Sequence, residues 1–284
     1  MKGNLVEALA SHADSPRGIH FSERGDREVF VTYGELYDRA RRLLGLLHRA
    51  GLEAGDCALL VARGNESLVT LFWACLMGRI VPAPLLYPGN DDQRRRIANV
   101  FEAAGRPWLV TDGDPDGDWP VPRERIVPCP VLQGGEPLAT VLEARTGDLC
   151  HVQYSSGSTG RPKGVQVTHS NVLHNVAGIL GRHGFTPESR FLSWLPLSHD
   201  FGLVFFHLMP VVLGADHWVM PTQLFVRQPL LWMERASRLR AQVTGAPCSA
   251  YERVCQVYTP EAAQGWDLSA LEFVGNGAEP ISLR

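Results

Sequence analysis

Lysine is almost missing from this sequence. Its 27 basic side chains include only Lys2 and Lys163, so an ammonium at position 163 stands out against an arginine background. An excess of one charge is missing too. Lys plus Arg number 27 and Asp plus Glu 30, a formal −3, which gives no reason to expect nucleic acid or an anionic membrane as a partner. Cys57, Cys75, Cys129, Cys150, Cys248 and Cys255 include no Cys-x-x-Cys pair and no zinc spacing with histidine, so no metal ligand set is expected. They read as small buried apolar residues. No stretch reaches membrane-spanning length, and Met1-Lys2-Gly3-Asn4 opens no hydrophobic signal core. Repeats, heptads and low-complexity tracts are absent as well. The expectation is a soluble protein of the reducing cytoplasm, with no nucleic acid or membrane as partner.

What is present suits a globular α/β protein. The 284 residues are 45% hydrophobic and 20% charged, enough to bury a substantial core. Thr32 is placed to cap a helix from Gly34 to Ala50, with Leu36, Ala40, Leu43, Leu44 and Leu47 on one face. A buried strand is predicted at 57–62, an amphipathic helix at 65–77, a helix at 94–104 and a strand at 108–111. Residues 112–137, rich in Gly, Pro and Asp, read as a surface excursion. Beyond them, helices are predicted at 171–182 (capped by Ser170), 201–213, 229–240 and 249–258, and strands at 191–195, 217–220, 242–244 and 272–275. This alternation predicts parallel strands flanked by helices.

The most informative segment is Tyr154-Ser155-Ser156-Gly157-Ser158-Thr159-Gly160-Arg161-Pro162-Lys163-Gly164. Glycines at 157, 160 and 164 let the backbone bring N–H groups close to an anion. The hydroxyls of Ser155, Ser156, Ser158 and Thr159 donate to phosphate oxygens, and Lys163 adds a mobile charge. A flexible Ser/Gly surface loop is the bland alternative. Strand-like residues 151–154 and 165–168 on either side favour a loop between two strands instead. Lys163 is followed by glycine and not by Ser or Thr, so the segment is not a Walker loop.

The whole eleven-residue segment resembles the phosphate loop of the adenylate-forming (AMP-binding) superfamily. The likeness continues through Val31-Thr32-Tyr33-Gly34-Glu35-Leu36, Gly55-Asp56 and Gly78 to Pro84. Trp194-Leu195-Pro196-Leu197-Ser198-His199-Asp200-Phe201-Gly202-Leu203 is similar to a motif of the fatty acyl-AMP ligase branch; in isolation its His-Asp pair reads as a helix cap. Asn276-Gly277-Ala278-Glu279-Pro280 resembles the ligases' adenine-side loop. The resemblance implies the N-terminal α/β domain of such a ligase, with one subdomain over about 1–185 and an incomplete second over 186–284.

By that resemblance Lys163 and His199 are the catalytic candidates. Ser155, Ser156, Gly157, Ser158, Thr159, Gly160, Lys163, Asn276, Gly277, Ala278 and Glu279 would bind the nucleotide. Trp194, His199, Asp200, Phe201, Gly245, Ala246 and Pro247 would line the acid site. Phe205, Phe206 and Met209 are acyl-tunnel candidates, or ordinary core at helical spacing. The implied chemistry uses ATP and Mg²⁺ to form an acyl-adenylate from a fatty acid and hands the acyl group to an acyl carrier protein. The family's later motifs, β-barrel subdomain and mobile C-terminal lid are expected to lie outside this sequence. A non-catalytic binding or scaffold lobe, or the same lobe of an acyl-CoA synthetase, is the alternative.

Overall fold

Short apolar runs alternating with helical periods can bury themselves as sheets covered by helices, and the computed structural model has that architecture. It describes residues 3–22, 27–129, 139–155 and 161–281. In chain order the first elements are α1 (Leu5–Ala10), β1 (Gly18–Ser22), β2 (Glu28–Thr32), α2 (Tyr33–Arg49), β3 (Cys57–Val61), α3 (Asn65–Met77), β4 (Val81–Leu85) and α4 (Asp91–Ala103). Next come β5 (Trp108–Thr111), β6 (Ile126–Pro128), β7 (Leu149–Ser155), β8 (Lys163–Thr168), α5 (His169–His183) and β9 (Phe191–Ser193). A π-helix (Phe201–Leu208) leads into α6 (Met209–Leu213), followed by β10 (His217–Val219), α7 (Thr222–Arg227), α8 (Leu230–Leu239), β11 (Val243–Ala246), α9 (Cys248–Val257) and β12 (Phe273–Asn276).

The chain divides into two compact units: Met1–Asp14 with Tyr33–Gly178, and Ser15–Thr32 with Ile179–Arg284. The division falls inside α5, a few residues before the expected 185. The hairpin β1–β2, which the sequence reading did not assign, belongs to the second unit.

The first unit holds an all-parallel sheet in the order β4-β3-β5-β6 and the antiparallel pair β7–β8. Leu59, Val61, Ala83, Phe101, Leu109 and Ile126 form the heart of one core cluster. Helix α2 buries the predicted stripe Leu36, Ala40, Leu43, Leu44 and Leu47. Helix α3 departs from expectation. It is not amphipathic, because Leu68 through Met77 are all buried; it packs against α1, α2, β3 and β4 and so has almost no solvent face. The segment 112–137 also departs, since Ile126–Pro128 pairs with β5 and buries Ile126 and Val127. A three-residue strand is too short to show a period amid Gly, Pro and Asp. Thr168 replaces Ser170 as the cap of α5: the Asn171 N–H donates to Thr168 Oγ1 (3.1 Å) and the Thr168 N–H to Asn171 Oδ1 (3.0 Å).

The second unit is built on a sheet ordered β12-β11-β9-β10-β1-β2, parallel except for the β1–β2 hairpin. Successive side chains on β11 point to opposite faces. On one face the Trp232 indole of α8 donates to Thr244 Oγ1 (2.8 Å), which itself donates to the Leu192 carbonyl (2.8 Å). On the other lies the π-helix, tied to β10 by a fully buried contact of 3.0 Å between His207 Nδ1 and His217 Nε2. The sequence predicts one helix over 201–213. The chain instead winds as a π-helix to Leu208 before turning α-helical at Met209. Pro210 has no N–H for a bond to the preceding turn, which disfavours a continuous α-helix here.

Among the described residues the strands form open sheets and no closed barrel. No helix there is long and apolar enough to cross a membrane. All six cysteines are free, and burial pushes the thiols of Cys57 and Cys129 up to about 11 and about 12.

Candidate functional site

The hairpin β7–β8 carries the first part of the site. Ser155 ends β7, Lys163 begins β8, and the two are directly paired across the ladder with both side chains exposed. Ser156, Gly157, Ser158, Thr159 and Gly160 lie outside the described residues. Among the described residues Lys163 makes no ion pair. One pair further along, Gly164 faces Tyr154. A Cβ at 164 would sit 2.9 Å from both Tyr154 Cε1 and Val152 Cγ1, so only glycine lets that ring cross the ladder. The expectation of a strand on either side of 156–160 holds: β7 and β8 pair antiparallel.

The second unit brings together most of the other candidates. Asp200 Oδ1 lies 2.7 Å from His199 Nδ1 and accepts the Phe201 N–H at 2.7 Å. One carboxylate therefore caps the π-helix and orients the imidazole, leaving His199 Nε2 without a hydrogen bond among the described residues. The pair forms a helix cap, with the Phe201 N–H also 3.3 Å from His199 Nδ1. Gly202, second in the π-helix, lies hard against the preceding turn: a Cβ there would lie 2.4 Å from the Pro196 carbonyl oxygen.

Phe201 then reaches the ends of β11 and β12. Gly245 and Gly275 are paired in register, and the Phe201 Cζ lies 3.1 Å and 3.4 Å from where their Cβ atoms would be. Two glycines on neighbouring strands thus make a notch that holds one phenyl edge. Phe205 continues the aromatic surface, with its ring centroid 5.7 Å from Phe201 and stacked 5.5 Å from Phe273. Phe206 is buried against both helix phenylalanines, which assigns it to the core as much as to any tunnel.

Past the notch, Ala246 pairs with Asn276, and the Gly277 N–H donates to the Ala246 carbonyl at 3.3 Å. Ala278 has φ +72°, a left-handed conformation that residues with a Cβ rarely adopt away from turns and functional sites. The Glu279 carboxylate accepts the Ser249 N–H in the first turn of α9, just after Pro247. The structure therefore gathers His199, Asp200, Phe201, Gly245, Ala246, Pro247, Asn276, Gly277, Ala278 and Glu279 along one end of the sheet.

Trp194 does not join them. Its ring stacks on Phe225 at 3.7 Å and meets Trp232 edge-on at 5.9 Å, on the α8 side of the sheet, opposite Gly245. It is a core residue there. Conversely, sequence reasoning passed over Tyr251, whose hydroxyl donates to the Gly275 carbonyl at 2.6 Å and is pushed up to about 12 by burial. A tyrosine in an ordinary helical pattern carries no signal of such a bond.

Among the described residues no group of three or more His, Cys, Asp or Glu converges as a metal cage.

The family model described as AMP-binding enzyme matches residues 8–284. The medium-chain-fatty-acid–[acyl-carrier-protein] ligase JamA of Moorena producens is 29% identical over 296 residues, covering 98% of this chain and 49% of its own length. The chain spans about half the length of the curated relatives it matches. The adenylation domain of a keto acid-selecting NRPS module, bound to keto acyl adenylate, superposes with a TM-score of 0.92 at 29% identity, covering 99% of this chain and 53% of that one. The fatty acid AMP ligase from Legionella pneumophila gives 0.90 at 25% identity, covering 99% and 50%. With motifs, fold and a match along nearly every residue in agreement, the chain belongs to the AMP-binding enzyme family.

Proposed function

We propose that this chain supplies the nucleotide- and acid-binding part of an enzyme that activates a fatty acid as its acyl-adenylate. The observation that carries the reading is the gathering of His199–Phe201, Gly245–Pro247 and Asn276–Glu279 at one end of a single sheet. A carboxylate oxygen attacks the α-phosphorus of ATP, the bond to the leaving pyrophosphate breaks, and no proton changes hands. In such chemistry the protein positions the reactants and stabilises charge. Lys163, Ser155 and the hydroxyls and amides of 156–160 hold the β- and γ-phosphates. Mg²⁺, when bound, offsets their charge. His199, held beside Asp200, lines the site of the acid's carboxylate, while Phe201 and Phe205 offer its hydrocarbon an apolar surface. Asn276–Ala278 present small residues on which an adenine ring can lie flat.

The acyl group then passes to the phosphopantetheine thiol of an acyl carrier protein, forming a thioester and releasing AMP and a proton. Support comes from JamA, named as an acyl-carrier-protein ligase. The free thiols fit a reducing compartment, the cytoplasm.

ATP–pyrophosphate exchange by the whole protein, dependent on added fatty acid, tests the first step. Acid-dependent exchange is the expected result, and a folded protein that shows none with any carboxylic acid would overturn it. Mass spectrometry of a carrier protein offered in competition with coenzyme A tests the second. Acylation of coenzyme A alone would replace the carrier-protein reading.

A further inference from the structure

Helix α9 begins without a side-chain cap of its own, because Pro247 precedes it and offers no acceptor. The first N–H groups of a helix need partners from elsewhere. One comes from 30 residues away in sequence: Glu279 takes the Ser249 N–H. Two residues further on, Tyr251 donates its hydroxyl to the Gly275 carbonyl at 2.6 Å. The Gly277 N–H closes the remaining gap onto Ala246. The segment from Gly275 to Glu279 is therefore held at both ends by α9 and in the middle by β11. Inside it sits Ala278 at φ +72°, a conformation that persists only where the surroundings over-determine it.

We propose that Tyr251 and Glu279 are positioning residues that clamp the Asn276–Ala278 backbone to the start of α9. The loop assigned to adenine and the Gly245–Pro247 turn assigned to the acid then form one body, so a disturbance of either bond reaches both ligands. The identity of those ligands rests on the acid-activating reading above; the clamp does not. Glu279 changes role as a result. One oxygen of its carboxylate takes a backbone N–H, and through that bond Glu279 acts on the nucleotide by holding the loop.

Three variants of the whole protein test this, with ATP and lauric acid as probes: Tyr251→Phe, Glu279→Ala and Glu279→Gln. Losing one of these hydrogen bonds should raise the KM values for ATP and for the acid together, each roughly three- to tenfold. Glu279→Gln keeps an oxygen that can accept from Ser249 and should stay within about twofold of wild type. Equal damage by Gln and Ala would mean that the charge itself is read, overturning the assigned role. Wild-type constants in both Tyr251→Phe and Glu279→Ala would do the same. Should Glu279→Ala fail to fold, Tyr251→Phe decides alone, since its ring still packs against Trp232 (5.4 Å).

If the wild-type protein neither binds ATP nor exchanges pyrophosphate, the acid-activating reading fails. Amide hydrogen exchange then reads the clamp directly. Faster exchange at Ser249 and Gly277 in Glu279→Ala is expected, and unchanged rates would overturn it.

Discussion

Phe201 rests its ring edge on Gly245, with Cζ 3.1 Å from the position a Cβ would take, and the Gly275 carbonyl oxygen lies 2.9 Å from that same point. A side chain at 245 therefore has nowhere to go. Gly245→Val should displace Phe201 and strain β12, costing about 1–3 kcal/mol, the usual range for overpacking. Chemical denaturation reads that cost, and a stability within error of wild type would show the notch to be loose. The opposite change, Phe201→Ala, empties the notch. Phe201 is partly exposed, so the fold should survive. The optimum of acid-dependent pyrophosphate exchange should move to longer or bulkier acids. An unmoved profile would remove Phe201 from the acid site.

Trp194 makes the contrasting case. Its ring lies between Phe225 and Trp232, and its indole N–H has no hydrogen-bond partner among the described residues although it is buried. Trp194→Phe keeps an aromatic stack and removes an unsatisfied donor, whose burial is itself unfavourable. The variant should keep its acid and ATP constants within about twofold and change stability by no more than about 1–2 kcal/mol. A selective rise in the KM for the acid would return Trp194 to the site.

These two aromatics show what the sequence could and could not disclose. Elements with a strong period or a distinct run, such as α2, the strand 108–111 and the strands β7 and β8, stand where pattern places them, because local burial decides them. The helix at 65–77 has the right ends and the wrong environment: being enclosed by α1, α2, β3 and β4 is a tertiary fact that no window of residues holds. Trp194 fails for a related reason. Motif proximity to His199 says nothing about which face of a sheet a ring takes once the strand ends. The Ser249–Glu279 and Tyr251–Gly275 bonds join residues 30 and 24 apart through backbone atoms, which leave no mark on side-chain identity. The glycines at 164, 245 and 275 were visible as letters, and their reason, close approach of an aromatic ring, became visible only with the packing.

Lys163 stands at the start of β8, exposed and paired with Ser155. Its neighbour Gly164, under the Tyr154 ring, bears the structural constraint. Lys163→Ala should therefore leave thermal stability unchanged while slowing pyrophosphate release roughly a hundredfold, as expected for removing a donor that stabilises transition-state charge. Gly164→Val should do the reverse first, lowering stability by about 1–3 kcal/mol through its clash with Tyr154 and Val152. Unchanged pyrophosphate release in Lys163→Ala would sink the role assigned to the ammonium.

Three of the buried histidines give the fold a predictable response to acid. Burial pulls His207 down to about 3 and His169 to about 4, and it holds His217 well below the ordinary range, where the neighbouring His207 adds to the effect. In the unfolded chain each titrates near 6.5. Above about pH 7 both states carry neutral imidazoles, and these groups make no difference to stability. As pH falls below 6.5 the unfolded state binds protons that the folded state refuses, so stability declines, by up to about 1.4 kcal/mol per pH unit for each histidine. The decline stops only once pH passes the folded values. Between pH 7 and 5 ordinary carboxylates are still largely ionised, so urea midpoints measured there report mainly on histidine. His217→Gln retains hydrogen-bonding capacity but cannot take the proton, and it should give a shallower slope than wild type over this interval. Equal slopes in the two proteins would mean that the His207–His217 pair is already accessible to protons in the folded state.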